Sequence, residues 1–225
     1  MADIRPYPAI RPEKEDAIGM GCLSYEDILE RFKSGRLFRQ HYSEYYIYEV
    51  KEGDRVRTGI FACASIDDYP NGVIRNHGEV KYEVTEEKLS QLETNKVQTV
   101  PVVLAYHKQP NIETICKAKK CFAPDYHFIT PDEVEHTIWA LNDYSKVFLV
   151  IKAMEGTKEF FIESGNEIAA AAAAHCQDIR KANRDYDASA DFNYFMCILL
   201  PYEDIVEDGV VSIPKFQANM FSYAI

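Results

Sequence analysis

Apolar and polar residues alternate in blocks along this chain, and the spacing within each block predicts its element. Tyr25, Ile28, Leu29 and Phe32 stand at i, i+3, i+4 and i+7, the interval that gathers side chains on one face of an α-helix. Ser24 and Asp27 approximate a capping box at its start, and Gly35 is placed to stop it. Tyr45 to Val50 and Arg55 to Ile66 are β-rich runs separated by Lys51-Glu-Gly-Asp54, a hairpin signal. Asp67 to Gly72 is a turn cluster. A charged stretch follows, with a helix predicted at Thr85–Thr94. Val97 to Tyr106 then reads as a strand that Pro101 confines to a sheet edge or a bulge.

The second half is more regular. Residues 111–120 predict a short helix. Thr130-Pro131 resembles a helix start, but Val134, His136, Ile138 and Ala140 alternate with Glu135, Thr137 and Trp139, which favours a strand over 134–141. Asp143 caps a helix with apolar positions Val147, Phe148, Ile151 and Met154, ended by Gly156. Phe160 to Glu163 predicts a strand, 166–183 a helix, and Phe192 to Leu200 a strand ended by Pro201. This order predicts an α/β (mixed α+β) fold, a mixed β-sheet with flanking helices. We expect a single domain over 1–225, with a hairpin-rich lobe at 1–110 and an α/β lobe at 111–225. At the start, the prolines after Arg5 and Arg11 bias both arginines to extended backbone, so residues 1–23 predict an extended arm, partly strand.

Composition narrows the function. At 225 residues the chain is long enough to bury a sizeable core. A formal charge of −11 gives it little electrostatic attraction for nucleic acid. Ile168 to Ala174, its longest apolar run, is too short to cross a bilayer, so no membrane partner is expected. Met1-Ala-Asp-Ile-Arg-Pro6 lacks the apolar segment of a signal peptide. Cys22, Cys63, Cys116, Cys121, Cys176 and Cys197 are scattered, and Cys63, Cys176 and Cys197 fall in apolar or helical stretches. Such thiols read as reduced and buried, in a cytoplasmic protein.

Several segments in order resemble one family. These are Ile4-Arg-Pro-Tyr-Pro-Ala-Ile-Arg-Pro12, Tyr46-Ile-Tyr48, and Thr58-Gly-Ile-Phe-Ala-Cys-Ala-Ser-Ile-Asp-Asp-Tyr69 followed by Gly72-Val-Ile74 and His77. Further on come His136-Thr-Ile-Trp139 and the stretch from Glu159 to Ala174. Together they resemble the DUF1015 family, an uncharacterised group of mostly bacterial and archaeal proteins. The resemblance implies a distant relationship to the ParB/sulfiredoxin fold, some of whose proteins bind nucleotides and transfer phosphate, including kinases of free serine. The family pattern Asp-Gly-His-His-Arg at the glycine turn has changed here. Ser164 stands for the aspartate, Asn166 and Glu167 for the histidines and Ile168 for the arginine, while Gly165 remains. His77-Gly78 replaces a His-Glu pair, a Pro-Tyr-Asp segment is missing, and the family's long second half is not present. The chain reads as a shortened, degenerate member.

Candidate chemistry centres on that turn. A strand, one glycine and a helix of small residues would present the N–H groups of Gly165 to Glu167 and the positive end of a helix dipole to a phosphate, with Ser164 or Asn166 adding a hydrogen bond. The competing reading is a capping box, with Ser164 as N-cap and Glu167 at the third helical position. It accounts better for these two side chains. His77 and Glu79 are weak catalytic candidates, two residues apart on what would be one strand face. Cys116 and Cys121, flanked by His107 and His127, are crowded by lysines and lack a second cysteine pair, so no metal site is expected. His175 and Cys176 diverge around a helix and cannot form a catalytic pair. Asp185, Asp187 and Asp191 read as a solvated acidic loop, and Tyr45, Tyr46 and Tyr48 as core or sheet-face aromatics.

We therefore expect a non-catalytic protein that binds a nucleotide or phosphate-bearing small molecule at Ser164, Gly165, Asn166 and Glu167. One alternative is a nucleotide-dependent phosphotransferase of the free-amino-acid kinase type, using ATP or ADP with magnesium at a rearranged site that includes His77 and Glu79. Another is a structural homodimer joined through the apolar stretch Met220 to Ile225.

Overall fold

The computed structural model describes residues 2–13, 25–76, 82–207, 209–214, 216 and 222–224. The first elements are β1 (Ile4–Arg5), β2 (Ile10–Pro12), α1 (Tyr25–Lys33), β3 (Leu37–Arg39), β4 (Tyr45–Glu52), β5 (Arg55–Ser65) and β6 (Ile74–Asn76). Next come α2 (Tyr82–Asn95), β7 (Val97–Gln98), β8 (Val102–Tyr106), α3 (Pro110–Lys120), β9 (Tyr126–Ile129), β10 (Glu135–Leu141) and α4 (Tyr144–Glu155). The chain continues through β11 (Phe160–Ser164), α5 (Asn166–Ala182), β12 (Tyr194–Pro201), α6 (Tyr202–Ile205), β13 (Val206–Glu207), β14 (Val210–Val211) and β15 (Tyr223–Ala224).

The fold is mixed α/β, as the periodicities predict. Its main sheet runs β6-β11-β8-β12-β5-β4-β10-β9, with β1 joining along β5. The long strand β5 makes this joint possible: its first half pairs β4, and Cys63 and Ala64 pair Arg5 and Ile4. Two neighbouring pairs are parallel, β6 with β11 and β8 with β12. The strands interleave early and late parts of the chain, because β8 lies between β11 and β12.

Strand alternation sends side chains to two cores. On one face Ile60, Leu104, Phe160 and Leu199 pack with Leu92 of α2, Ile112 of α3, Val150 and Met154 of α4 and Ala172 of α5. On the other, Tyr46, Tyr48, Phe61 and Ile198 pack with Tyr7, Ile28 of α1, Phe128 and Tyr223. Each fully buried aliphatic or aromatic side chain contributes about 1.5–3 kcal/mol. Tyr45, Tyr46 and Tyr48 are core residues, as expected, with hydroxyls on the Ile4 carbonyl, Gln40 and the His136 ring.

The Arg-Pro arm is extended and anchored. Arg5 donates to the Ser189 carbonyl at 2.9 Å and to Asp191 at 3.0 Å, and its guanidinium lies 3.4 Å from the centre of the Tyr194 ring. Arg11 donates to Gln40 and to the Tyr126 hydroxyl. Asp191 also pairs with Arg39, so the acidic loop is partly a docking point for this arm rather than wholly solvated.

Four other expectations need correction. The strand foreseen at 97–106 is two strands, and β8 is interior rather than at an edge. Pro101, which has no N–H to give, falls in the break, so β8 pairs on both sides without it. In α4, Phe148 is 48% exposed and Val150 takes the core position, because the helix faces the sheet one residue further round. Cys121 is exposed at the end of α3, whereas Cys116 is buried with Cys63, Cys176 and Cys197. The C-terminal stretch is no free apolar patch where it is described: Tyr223 is fully buried and pairs with Gln98 of β7. No helix among the described residues is long and apolar enough to cross a membrane.

Candidate functional site

The glycine turn stands at the carboxyl ends of two parallel strands, the place where open α/β sheets leave room for ligands. Ile162 of β11 is level with Asn76, the last residue of β6. Beyond Ile162 the pairing with β8 shifts register, and Ser164 opposes Val103. Gly165 then adopts φ +88° and ψ +27°, and α5 begins at Asn166. A Cβ at Gly165 would stand 3.2 Å from the Val102 Cα and 3.6 Å from the Pro101 carbonyl oxygen. Left-handed backbone and close packing against β8 therefore both demand glycine.

This geometry overturns the capping box. The N-cap is Gly165, which offers no side-chain hydrogen bond, and Ser164 is the exposed last residue of β11. Glu167 consequently lies at the second helical position. It still suits the positive end of the helix dipole, and for the same reason it would oppose a bound anion.

The first turn leaves donors available. The Gly165 carbonyl accepts from the N–H groups of Ile168 and Ala169, both at 3.0 Å. Among the described residues, nothing accepts from the N–H groups of Asn166 and Glu167. The Asn166 Oδ1 is buried without a hydrogen-bond partner. A buried amide left unsatisfied costs about 1–3 kcal/mol, and turning the amide over would present NH2 donors in its place.

Beside the turn, a crevice of about 120 Å³ separates α2 from the 97–100 segment. Ile168, Leu92 and Val97 make it mainly apolar, and Lys88 and Gln91 bring polar groups to it. The buried Gln98 side chain holds the far wall by exchanging hydrogen bonds with the Met196 backbone, accepting at 2.8 Å and donating at 2.9 Å. Lys88 and Gln98 were not foreseen, because α2 and β7 meet α5 only through the fold. The crevice is the size of a phosphate or a small side group. The base and sugar of ATP or ADP, whose binding pockets run to about 300 Å³ or more, would extend beyond it.

The other candidates are dispersed. His77 and Glu79 lie outside the described residues. His175, on α5, is 3% exposed with its Nε2 3.5 Å from Lys96 Nζ. Burial, reinforced by the Lys96 charge, lowers its pKa and keeps the ring neutral. Cys176 is buried against the Asn193 amide, and burial raises its thiol pKa. Burial also pushes the Cys116 thiol up to about 12, while the Cys121 Sγ turns to the Lys117 carbonyl. His107 contacts Glu203 and His127 contacts Thr137, each away from these cysteines. Asp187 caps Ser189 within its own loop, and its carboxylate pKa is lowered by those hydrogen bonds.

No curated protein and no solved structure matches the chain. A family described as "Protein of unknown function (DUF1015)" matches residues 6–208. That span takes in the arm from Pro6 onward with Arg11, the β4–β5 hairpin and the left-handed glycine turn at the head of α5, and the chain belongs to the DUF1015 family.

Proposed function

We propose that the protein binds a phosphate-bearing small molecule at the glycine turn and does so without catalysing its transfer. The observation that carries this reading is the left-handed Gly165, packed on the Val102 backbone, with the N–H groups of Asn166 and Glu167 left without acceptors. A helix of 17 residues stands behind those donors, and its dipole favours an anion there. The turn's own side chains argue for holding rather than reacting. Ser164 and Asn166 are neutral, Ile168 is apolar, and Glu167 is a carboxylate that repels phosphate. The ParB/sulfiredoxin relationship implied by the resemblance would agree with a nucleotide as the ligand.

A thermal-shift titration with ATP, ADP and inorganic phosphate, with and without magnesium, tests this. A ligand at a hundred times its Kd adds about 2.7 kcal/mol, a rise of roughly 5–10 °C for a chain of this size. Replacing Glu167→Gln should tighten binding by removing the opposing charge. An unchanged melting temperature at millimolar concentrations of all three would end the proposal. Steady phosphate release from ATP at enzyme-like rates would favour the phosphotransferase instead.

A further inference from the structure

The opposite end of β8 carries a second and larger cavity. There Tyr106 is level with Pro201, the carboxyl ends of the parallel strands β8 and β12. Helix α3 passes over them, and a space of about 260 Å³ lies between. Val56 and Ile60 of β5, Ile112 of α3 and Pro201 give it apolar walls. Three lysines, Lys108, Lys117 and Lys120, reach it against two carboxylates, Glu113 and Asp204. Glu49 beside Lys120 and Glu203 at the Lys108 N–H bring further carboxylates close, so the acidic groups at least match the lysines and what matters is which lysine they leave unpaired.

The lysines differ in what already occupies them. Lys108 Nζ is 2.6 Å from Asp204 and 3.8 Å from Glu113. Lys120 Nζ is 2.6 Å from Glu49 and donates to the Thr58 hydroxyl at 3.0 Å. Lys117 has no acidic partner among the described residues. Tyr106 adds a second open group. It is 2% exposed and lines the cavity, yet its hydroxyl has no hydrogen-bond partner among the described residues. The groups that act on it electrostatically include Cys116, Asp204 and Glu113, all on the cavity walls. The Tyr106 oxygen is not among the fully buried unpartnered atoms, so the hydroxyl opens into the cavity while the ring is buried.

We infer that this cavity binds a small organic monocarboxylate with an apolar body about one ring in size. The apolar walls take the body, Lys117 meets the carboxylate, and the Tyr106 hydroxyl supplies a hydrogen bond. Asp204 and Glu113 oppose a dianion, which sets a carboxylate above a phosphate. The volume is below the roughly 300–1,000 Å³ of pockets that enclose drug-sized molecules, so the ligand is small. This site is separate from the glycine turn and does not depend on its ligand.

The test is a titration of the ¹⁵N-labelled full chain with phenylacetate, 2-phenylethanol and inorganic phosphate, followed by amide shifts. Phenylacetate should shift Tyr106, Ile112 and Lys117 saturably, 2-phenylethanol should bind about tenfold more weakly, and phosphate should leave these amides in place. Lys117→Gln, at an exposed position that leaves folding intact, should weaken phenylacetate about three- to tenfold and leave 2-phenylethanol unchanged. Tyr106→Phe should weaken it by a similar factor. The inference is overturned if millimolar phenylacetate gives no saturable shift, if the neutral alcohol binds as tightly, or if Lys117→Gln changes neither.

Discussion

The two ends of β8 solve opposite problems with the same strand. At its start, Val102 presses backbone against backbone on Gly165, and the space left beside the turn is narrow and mainly apolar. At its end, Tyr106 opens into a wider cavity lined by Lys108, Lys117, Lys120, Glu113 and Asp204. The first end is set by conformation, since only glycine meets both φ +88° and the Val102 contact. The second is set by charge and volume, which substitution can tune without disturbing the fold. Main-chain sites are therefore intolerant and side-chain sites adjustable, and the two respond differently to the same kind of mutation.

The largest expected difference follows from glycine. Gly165→Ala should lower stability by about 2–4 kcal/mol, from left-handed strain plus the Val102 contact, read as a lower urea midpoint. Near the other end, Gly59 sits between the cavity residues Thr58 and Ile60, and a Cβ there would stand 2.9 Å from the Ile198 and Leu200 side chains. These atoms belong to fully buried core side chains, so Gly59→Ala should cost about 1–3 kcal/mol by overpacking, without the left-handed strain that Gly165→Ala adds. If Gly59→Ala proves the more damaging, backbone conformation is not what distinguishes the two ends.

Acid sharpens the contrast more gently. His175 on α5 is held neutral by burial and by Lys96, and His136 is likewise held neutral by burial. His136 is level with Val50, which pairs with Arg57 near the start of β5. In both, the folded pKa is below the ordinary 6.5. The unfolded chain then binds more protons as pH falls, so stability is full above about 6.5 and declines below it. Melting temperature against pH should show this decline, His175→Gln should flatten part of it, and a slope untouched by that variant would contradict the assignment at the glycine end. The smallest effect belongs to Lys117. Lys117→Ala should leave stability within about 0.5 kcal/mol in the same urea titration, because no ion pair is lost.

Much of the fold was legible because its signals are local. Asp143 accepts from the Ser145 and Lys146 N–H groups as its position before an apolar helix predicts, and the β4–β5 hairpin follows from its own turn. The same local rules placed the start of α5 at 166 but misassigned its cap. Ser164 and Glu167 satisfy a capping box on paper, but the contact that selects Gly165 as cap comes from Val102, more than sixty residues earlier in the chain. Pro101 likewise hid an interior strand, since the partners of β8 lie in β11 and β12. The lysine cavity left no trace in sequence because Val56, Tyr106, Lys117 and Asp204 come from four separated elements. What chemistry the glycine turn retains was readable only as far as its backbone.

The most direct measurement is an amide-shift titration of the ¹⁵N-labelled chain with ADP. Binding at the helix start predicts saturable shifts at Asn166, Glu167 and Ile168, with Tyr106 and Lys117 unmoved. Shifts confined to Tyr106 and Lys117, or none at millimolar ADP or inorganic phosphate, would contradict a phosphate site at Gly165.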